Sequence, residues 1–162
     1  MTTVTYIRHL QQTSHRIVDA PLKNKEEHTL CDSKYDVIIT SPYLRSRQTA
    51  KLYEQSRTTS NYKELVVDVN LCEYHGHKAL MKFNLDGVTS SFGNIPDSSE
   101  TWEQCAQRLD THIETILNLK GNVLVVAHGI VVNYVEEKLL GKSSYKRGKD
   151  VPYGGGFTVR IN

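Results

Sequence analysis

The stretch GNVLVVAHGIVVNYVEEKLLG, residues 121–141, decides the architecture. It opens on an apolar run, 123–127, that is continuous instead of alternating. A run apolar on both sides of the pleat suits a strand covered on both faces, as the central strands of parallel sheets are. His128-Gly129 interrupts the run, and residues 130–140 then read as a helix ending near Gly141. Strand, polar step and helix form the unit from which layered α/β folds are assembled.

Working outward, residues 4–7, 37–39 and 65–69 are further short runs rich in Val and Ile and read as strands. A last strand is expected over 157–161, after turn-forming Pro152 and the glycines at 154–156. Between the strands, residues 43–54 follow Ser41-Pro42 and carry Leu44, Ala50, Leu52 and Tyr53 among polar residues. Trp102, Cys105, Ala106, Leu109, Ile113, Ile116 and Leu117 recur at spacings of three and four, the pattern of an amphipathic helix. Thr101 and Gln104 predict its capping box, and Gly121 its stop. The predicted fold class is α/β: a three-layer sandwich with a mostly parallel central sheet and helices on both faces. The chain reads as one domain, 1–162, with a loop-rich insertion at about 74–96 that carries one helical turn near 78–83.

Composition fits this picture. The 162 residues are 38% hydrophobic and 23% charged, an ordinary globular balance that argues against a disordered or fibrous chain. A net charge of +2 is too mild to indicate nucleic acid. Lys138, Lys142, Lys146, Arg147 and Lys149 form the one dense basic stretch, read as solvated surface, with steering of an anionic substrate as the alternative. Cys31, Cys72 and Cys105 are odd in number and lack CxxC spacing, which suggests neither a disulfide framework nor a zinc site and favours a reducing compartment. No basic segment followed by a long apolar run opens the chain, and no run approaches the ~20 apolar residues of a membrane span. A cytoplasmic location is expected, with no membrane partner.

Polar residues cluster at equivalent places. Arg8-His9 follows the first strand, Ser41-Pro42-Tyr43-Leu44-Arg45 the second, and His128-Gly129 the run at 123–127. In an open α/β sheet ligands bind beyond the carboxyl ends of the strands, where helix N-termini favour anions. Two arginines and two histidines converging there point to phosphate, because a guanidinium fork matches two phosphate oxygens. A neutral imidazole can attack phosphorus and form a phosphohistidine, while a second donates to the equatorial oxygens. Glu73, just past the third strand, is placed to protonate the leaving oxygen and then serve as base toward water.

These blocks resemble the histidine phosphatase (phosphoglycerate mutase-like) superfamily. Tyr6-Ile7-Arg8-His9 is similar to its Arg-His-Gly signature, and residues 41–50 to its Ser-Pro-Leu-x-Arg-Ala-x-Gln-Thr-Ala block. Leu71-Cys72-Glu73 resembles its Leu-x-Glu segment, Ser99-Glu100-Thr101 with Arg108 its Gly-Glu-Ser helix start and following Arg, and residues 125–129 its closing His-Gly motif. The blocks keep the family's order from residue 4 to residue 129. The resemblance implies His9 as nucleophile, Arg8, Arg45 and His128 as phosphoryl ligands, and Glu73 as proton donor. The chain departs from the pattern at Leu10, where the family has Gly, and at Gln11 and Gln12. His15 stands where many members have a phosphate-facing Asn and is a candidate phosphate ligand. The span 22–36 is short, which implies an abbreviated first helix.

Other features read as background. His75 and His77 flank Gly76 as a metal tract would, but no further ligands have spacing to complete a site. Gly141-Lys142-Ser143 resembles the end of a P-loop, yet Glu136 occupies the earlier glycine position and a helix precedes it. Tyr43, Tyr74 and Tyr153 read as packing residues, with pocket lining as the alternative. The expected function is metal- and cofactor-independent hydrolysis of a phosphomonoester through phospho-His9, on a small phosphorylated substrate or a phosphoprotein. The rivals are a weakly active or inactive binder of a phosphorylated ligand, which Leu10 keeps open, and a mutase-like phosphotransferase.

Overall fold

Leu124 and Val126 point to one face of the sheet, Val123, Val125 and Ala127 to the other, and all five are fully buried. That is why the run is continuous. In this computed structural model, residues 1–14, 20–23, 35–55, 64–74, 90–92, 96 and 99–161 are described. Among them, strands β1 (Thr2–Arg8), β2 (Val37–Thr40), β3 (Glu64–Asp68), β4 (Ser90–Phe92), β5 (Gly121–Ala127) and β6 (Gly156–Ile161) form one sheet in the order β4-β3-β2-β5-β1-β6. Every pairing is parallel except β1 with β6, which runs antiparallel at the edge and sets Tyr6 opposite Phe157 and Ile7 opposite Gly156.

Helix α1 (Leu44–Gln55) covers one face through Ala50, against Ile7, Ile38, Leu124 and Val126. Helices α2 (Trp102–Leu117) and α3 (Gly129–Leu140) cover the other, burying Cys105, Leu109, Ile116, Val131 and Val135 against β1 and β5. Each fully buried aliphatic side chain stabilises this arrangement by about 1.5–3 kcal/mol. The fold is the expected α/β sandwich. The capping box of α2 forms with both bonds in place, and Gly141 closes α3 at φ 71°, in the left-handed region.

Several boundaries differ. The third strand stops at Asp68, because the Asp68 side chain accepts from the Asn70 N–H and turns Val69–Leu71 into a short 3-10 turn. Helix α2 ends at Leu117 with Asn118 as its C-cap, three residues before Gly121, which opens β5 at φ 96°. Strand β4 falls inside the segment read as a loop-rich insertion. Most of that insertion, its helical turn at 78–83 and most of the abbreviated first helix lie outside the described residues. So do Cys31, His15, His75 and His77. Among the described residues, no helix is long and apolar enough to cross a membrane.

A buried polar chain ties the sheet to α2. Asp68 at the end of β3 bonds His112 Nδ1 at 2.6 Å, and His112 Nε2 meets the Tyr6 hydroxyl at 3.0 Å. All three side chains are fully buried. Their hydrogen bonds offset the cost of burying polar groups and fix α2 across both strands.

Candidate active site

The carboxyl ends of three strands are laced together. The His9 N–H donates to the Ala127 carbonyl at 2.9 Å, and the Ser41 N–H to the Val126 carbonyl at 3.0 Å. Parallel pairing in register thus brings His9, Ser41 and His128 to one edge of the sheet.

His9 is 2% exposed, and its two ring nitrogens have distinct roles. Nδ1 lies 2.6 Å from the Leu10 carbonyl, which only accepts, so Nδ1 carries the proton. Nε2 lies 3.0 Å from Arg45 Nε, which only donates, so Nε2 holds its lone pair. The imidazole is therefore the tautomer a phosphoryl acceptor requires.

Arg45, the second residue of α1, is buried and bridges both histidines. Its Nη2 approaches His128 Nδ1 at 3.5 Å, the limit of a hydrogen bond, and its guanidinium stands 4.5 Å over the Tyr43 ring. With Nδ1 accepting, His128 donates from Nε2 to Ser41 Oγ at 2.7 Å. The His9 and His128 rings lie 5.2 Å apart, and Tyr43 packs edge-on to His128 at 4.7 Å.

Arg8 is half-buried at the end of β1. Its Nη1 donates to the Val151 carbonyl at 2.7 Å, and its guanidinium lies 4.2 Å over the Tyr153 ring. Arg8 Nε is buried with no hydrogen-bond partner among the described residues. An unmet buried donor costs about 1–3 kcal/mol, which an anion accepting from it would recover.

Glu73 comes off the 3-10 turn. Its Oε1 accepts from the Tyr74 N–H at 3.1 Å and its Oε2 from the Ile130 N–H, in the first turn of α3, at 3.4 Å. Burial raises its carboxyl above the ordinary value, against the opposing pull of these two N–H groups, Arg45 and Arg108. The same first turn of α3 is braced by residues 148–150. A Cβ on Gly129 would lie 2.1 Å from the Gly148 carbonyl oxygen, so the close approach requires glycine there.

Leu10 fits without distortion. No described non-glycine residue has positive φ, its N–H donates to Thr49 Oγ1 at 3.0 Å, and its buried side chain packs toward Gly154. The structure thus brings together His9, Arg45 and His128, and places Arg8 beside His9 through Tyr153, whose ring lies 5.8 Å from that of His9. Glu73 joins the same end of the sheet through α3. Sequence reasoning assigned no role to Ser41 or Thr49, although both sit inside the block at 41–50. It read Tyr43 and Tyr153 as packing, with pocket lining as the alternative, and each ring stacks on a site arginine.

The fold is a mostly parallel α/β sheet that gathers arginines and histidines at its carboxyl edge. Residues 25–151 match the model of the histidine phosphatase superfamily (branch 1), and the chain belongs to that superfamily. The match begins after Arg8-His9, so those two enter through their place in the fold. Among solved structures, YhfR of Bacillus stearothermophilus is similar at 18% identity, with 100% of this chain and 92% of that chain covered and a TM-score of 0.66. A phosphoglycerate mutase from Bacillus anthracis str. Sterne is similar at 20% identity, with 97% and 86% covered and a TM-score of 0.64. The ecdysone phosphate phosphatase of Bombix mori, in complex with tungstate, is similar at 14% identity, with 99% and 89% covered and a TM-score of 0.62. No curated protein matches the chain.

Proposed function

We propose that this protein is a metal-independent phosphatase that hydrolyses a phosphomonoester through a phosphohistidine on His9. The observation that carries this reading is the pair of bonds at His9. Leu10 holds the proton on Nδ1, and Arg45 faces the lone pair on Nε2. On substrate entry, Arg45 exchanges its bond to His9 for charge-assisted bonds to the phosphoryl oxygens. Nε2 attacks phosphorus, the bond to the leaving oxygen breaks, and Glu73 gives that oxygen its proton. The phosphorylated ring is cationic, and its Nδ1–H keeps the Leu10 carbonyl as acceptor. Water then attacks phosphorus, the Glu73 carboxylate takes its proton, and the N–P bond breaks to return His9 and inorganic phosphate.

Arg8 and Arg45 supply the positive field, and His128 adds hydrogen bonding, for the charge on the equatorial oxygens. The unstrained Leu10 favours turnover over mere binding. The substrate is a small phosphoester or a phosphoprotein. Quenched reaction with an aryl phosphate should leave acid-labile phosphate on His9 and release inorganic phosphate steadily in excess chelator. His9→Ala should abolish both. Phosphate trapped on another residue, or activity that needs a divalent ion, would overturn the mechanism, and transfer to an added alcohol in place of water would favour the mutase chemistry.

A further inference from the structure

The segment 151–155 is fastened to Arg8 at four points. The Arg8 N–H donates to the Gly155 carbonyl at 2.8 Å, and the Gly154 N–H donates to the Arg8 carbonyl at 2.9 Å. Those two bonds continue the antiparallel approach of β6 to β1 and would form whatever side chain stood at position 8. The other two act on the side chain. Val151 takes Nη1 at 2.7 Å, and the Tyr153 ring lies under the guanidinium at 4.2 Å.

Together these contacts consume one donor and one face of the guanidinium. They leave the edge formed by Nε and Nη2, the side-on fork that grips two oxygens of one anion. Nε on that edge is the buried donor without a described partner. Tyr153 also lies 5.8 Å from the His9 ring at an interplanar angle of 47°, so it braces Arg8 on the side where the nucleophile stands. An arginine without such a brace loses considerable rotamer freedom when it binds an anion; one already stacked loses less.

We infer that Tyr153 is a positioning residue: its ring aims the Nε–Nη2 edge of Arg8 at the phosphoryl group without itself touching the reacting atoms. The inference rests on the phosphatase reading, and extends it to a residue outside every motif the sequence displays. The working part is the π-face, since no hydrogen bond of the Tyr153 hydroxyl contributes to the geometry described.

Vanadate inhibition and steady-state kinetics on the full chain test it. Tyr153→Leu should weaken vanadate and raise KM by about 2- to 30-fold, the range of a cation–π contact, with a smaller change in kcat. Tyr153→Phe should restore parent values. In an Arg8→Met background, Tyr153→Leu should cost nothing further, because its effect passes through Arg8. A fluorinated phenylalanine series at position 153 keeps the shape and drains the π-face, so vanadate affinity should fall stepwise with fluorination. This series decides the matter even if Tyr153→Leu does not fold. A flat series, or equal losses with and without Arg8, would overturn the inference and leave the phosphatase reading intact. A parent protein that neither binds vanadate nor releases phosphate would overturn both.

Discussion

The Nε–H of Arg45 donates to Nε2 of His9 across 3.0 Å, while Nη2 of the same guanidinium reaches His128. One buried cation therefore registers both imidazoles, and its α1 position fixes it from the opposite face of the sheet to α3. A lysine keeps the charge but has neither the planar fork nor the reach to two rings. Arg45→Lys should slow turnover by about 10²–10³-fold, the loss typical of removing a preorganised transition-state donor. The loss should be equal for alkyl and aryl phosphates, because phosphoryl charge is common to both. A loss confined to one leaving group would remove Arg45 from phosphoryl binding.

Glu73 should behave in the opposite way. Protonating the leaving oxygen matters only when that oxygen leaves poorly. Glu73→Gln should slow the first turnover of an alkyl phosphate by about 10²–10⁴-fold. An activated aryl phosphate should be affected much less at that step. Single-turnover kinetics with both substrates separate this step from dephosphorylation. Equal slowing would end the case for Glu73 as general acid.

The same carboxyl predicts a dependence of stability on pH. An unfolded Glu titrates near ~4.3, and burial raises the folded value above this. Stability from Glu73 is therefore complete below the unfolded value and is lost as pH rises through the folded one. Gln has no charge to desolvate. Glu73→Gln should melt with the parent at about pH 4 and above it at about pH 8. Melting curves that keep a constant offset across that range would contradict the desolvated carboxyl.

What the sequence discloses follows from how each feature is encoded. Strands β2 and β5 announce themselves because both of their faces are buried, and the resulting runs admit little else. Strand β4 does not, since Ser-Ser-Phe carries no periodicity and, among the described residues, pairs only with β3 at the sheet edge. Val69 extends the apolar run of β3, but the Asp68 side chain, accepting from the Asn70 N–H, and the Cys72 N–H, donating to the Val69 carbonyl, turn it out of the strand. His9, Arg45 and His128 are legible because each ends or follows a strand within a recognisable block. The bracing of Arg8 is not, because Val151 lies 143 positions away and meets it only through the antiparallel register of β6. Glu100 and Arg108 stood out as a motif, but the second partner of Arg108, the Asn70 carbonyl, could not be read from spacing.

That last contact leads to a final prediction. Arg108 pairs side-on with Glu100, Nε to Oε1 at 2.6 Å and Nη2 to Oε2 at 3.2 Å, and its Nη1 donates to the Asn70 carbonyl at 2.5 Å. Both charged side chains are buried. Burial, the largest single influence, works against the Arg108 charge, but the hydrogen bond to Glu100 and the neighbouring Glu100, Cys105 and Cys72 groups together outweigh it and raise its pKa above the ordinary value. Asn70 sits in the turn that delivers Glu73, so Arg108 supports both a charge pair and the approach of the acid. Arg108→Met leaves Glu100 buried without its partner and should destabilise the fold by about 3–5 kcal/mol. Adding Glu100→Gln removes the stranded charge and should restore most of that stability, since a buried pair contributes little beyond its own desolvation. The double variant still lacks the donor to Asn70, so the turn stays unsupported. Its thermal midpoint should recover while its alkyl phosphate turnover stays low and its aryl phosphate turnover is largely kept. If alkyl turnover returns together with stability, Arg108 does not hold the turn for Glu73.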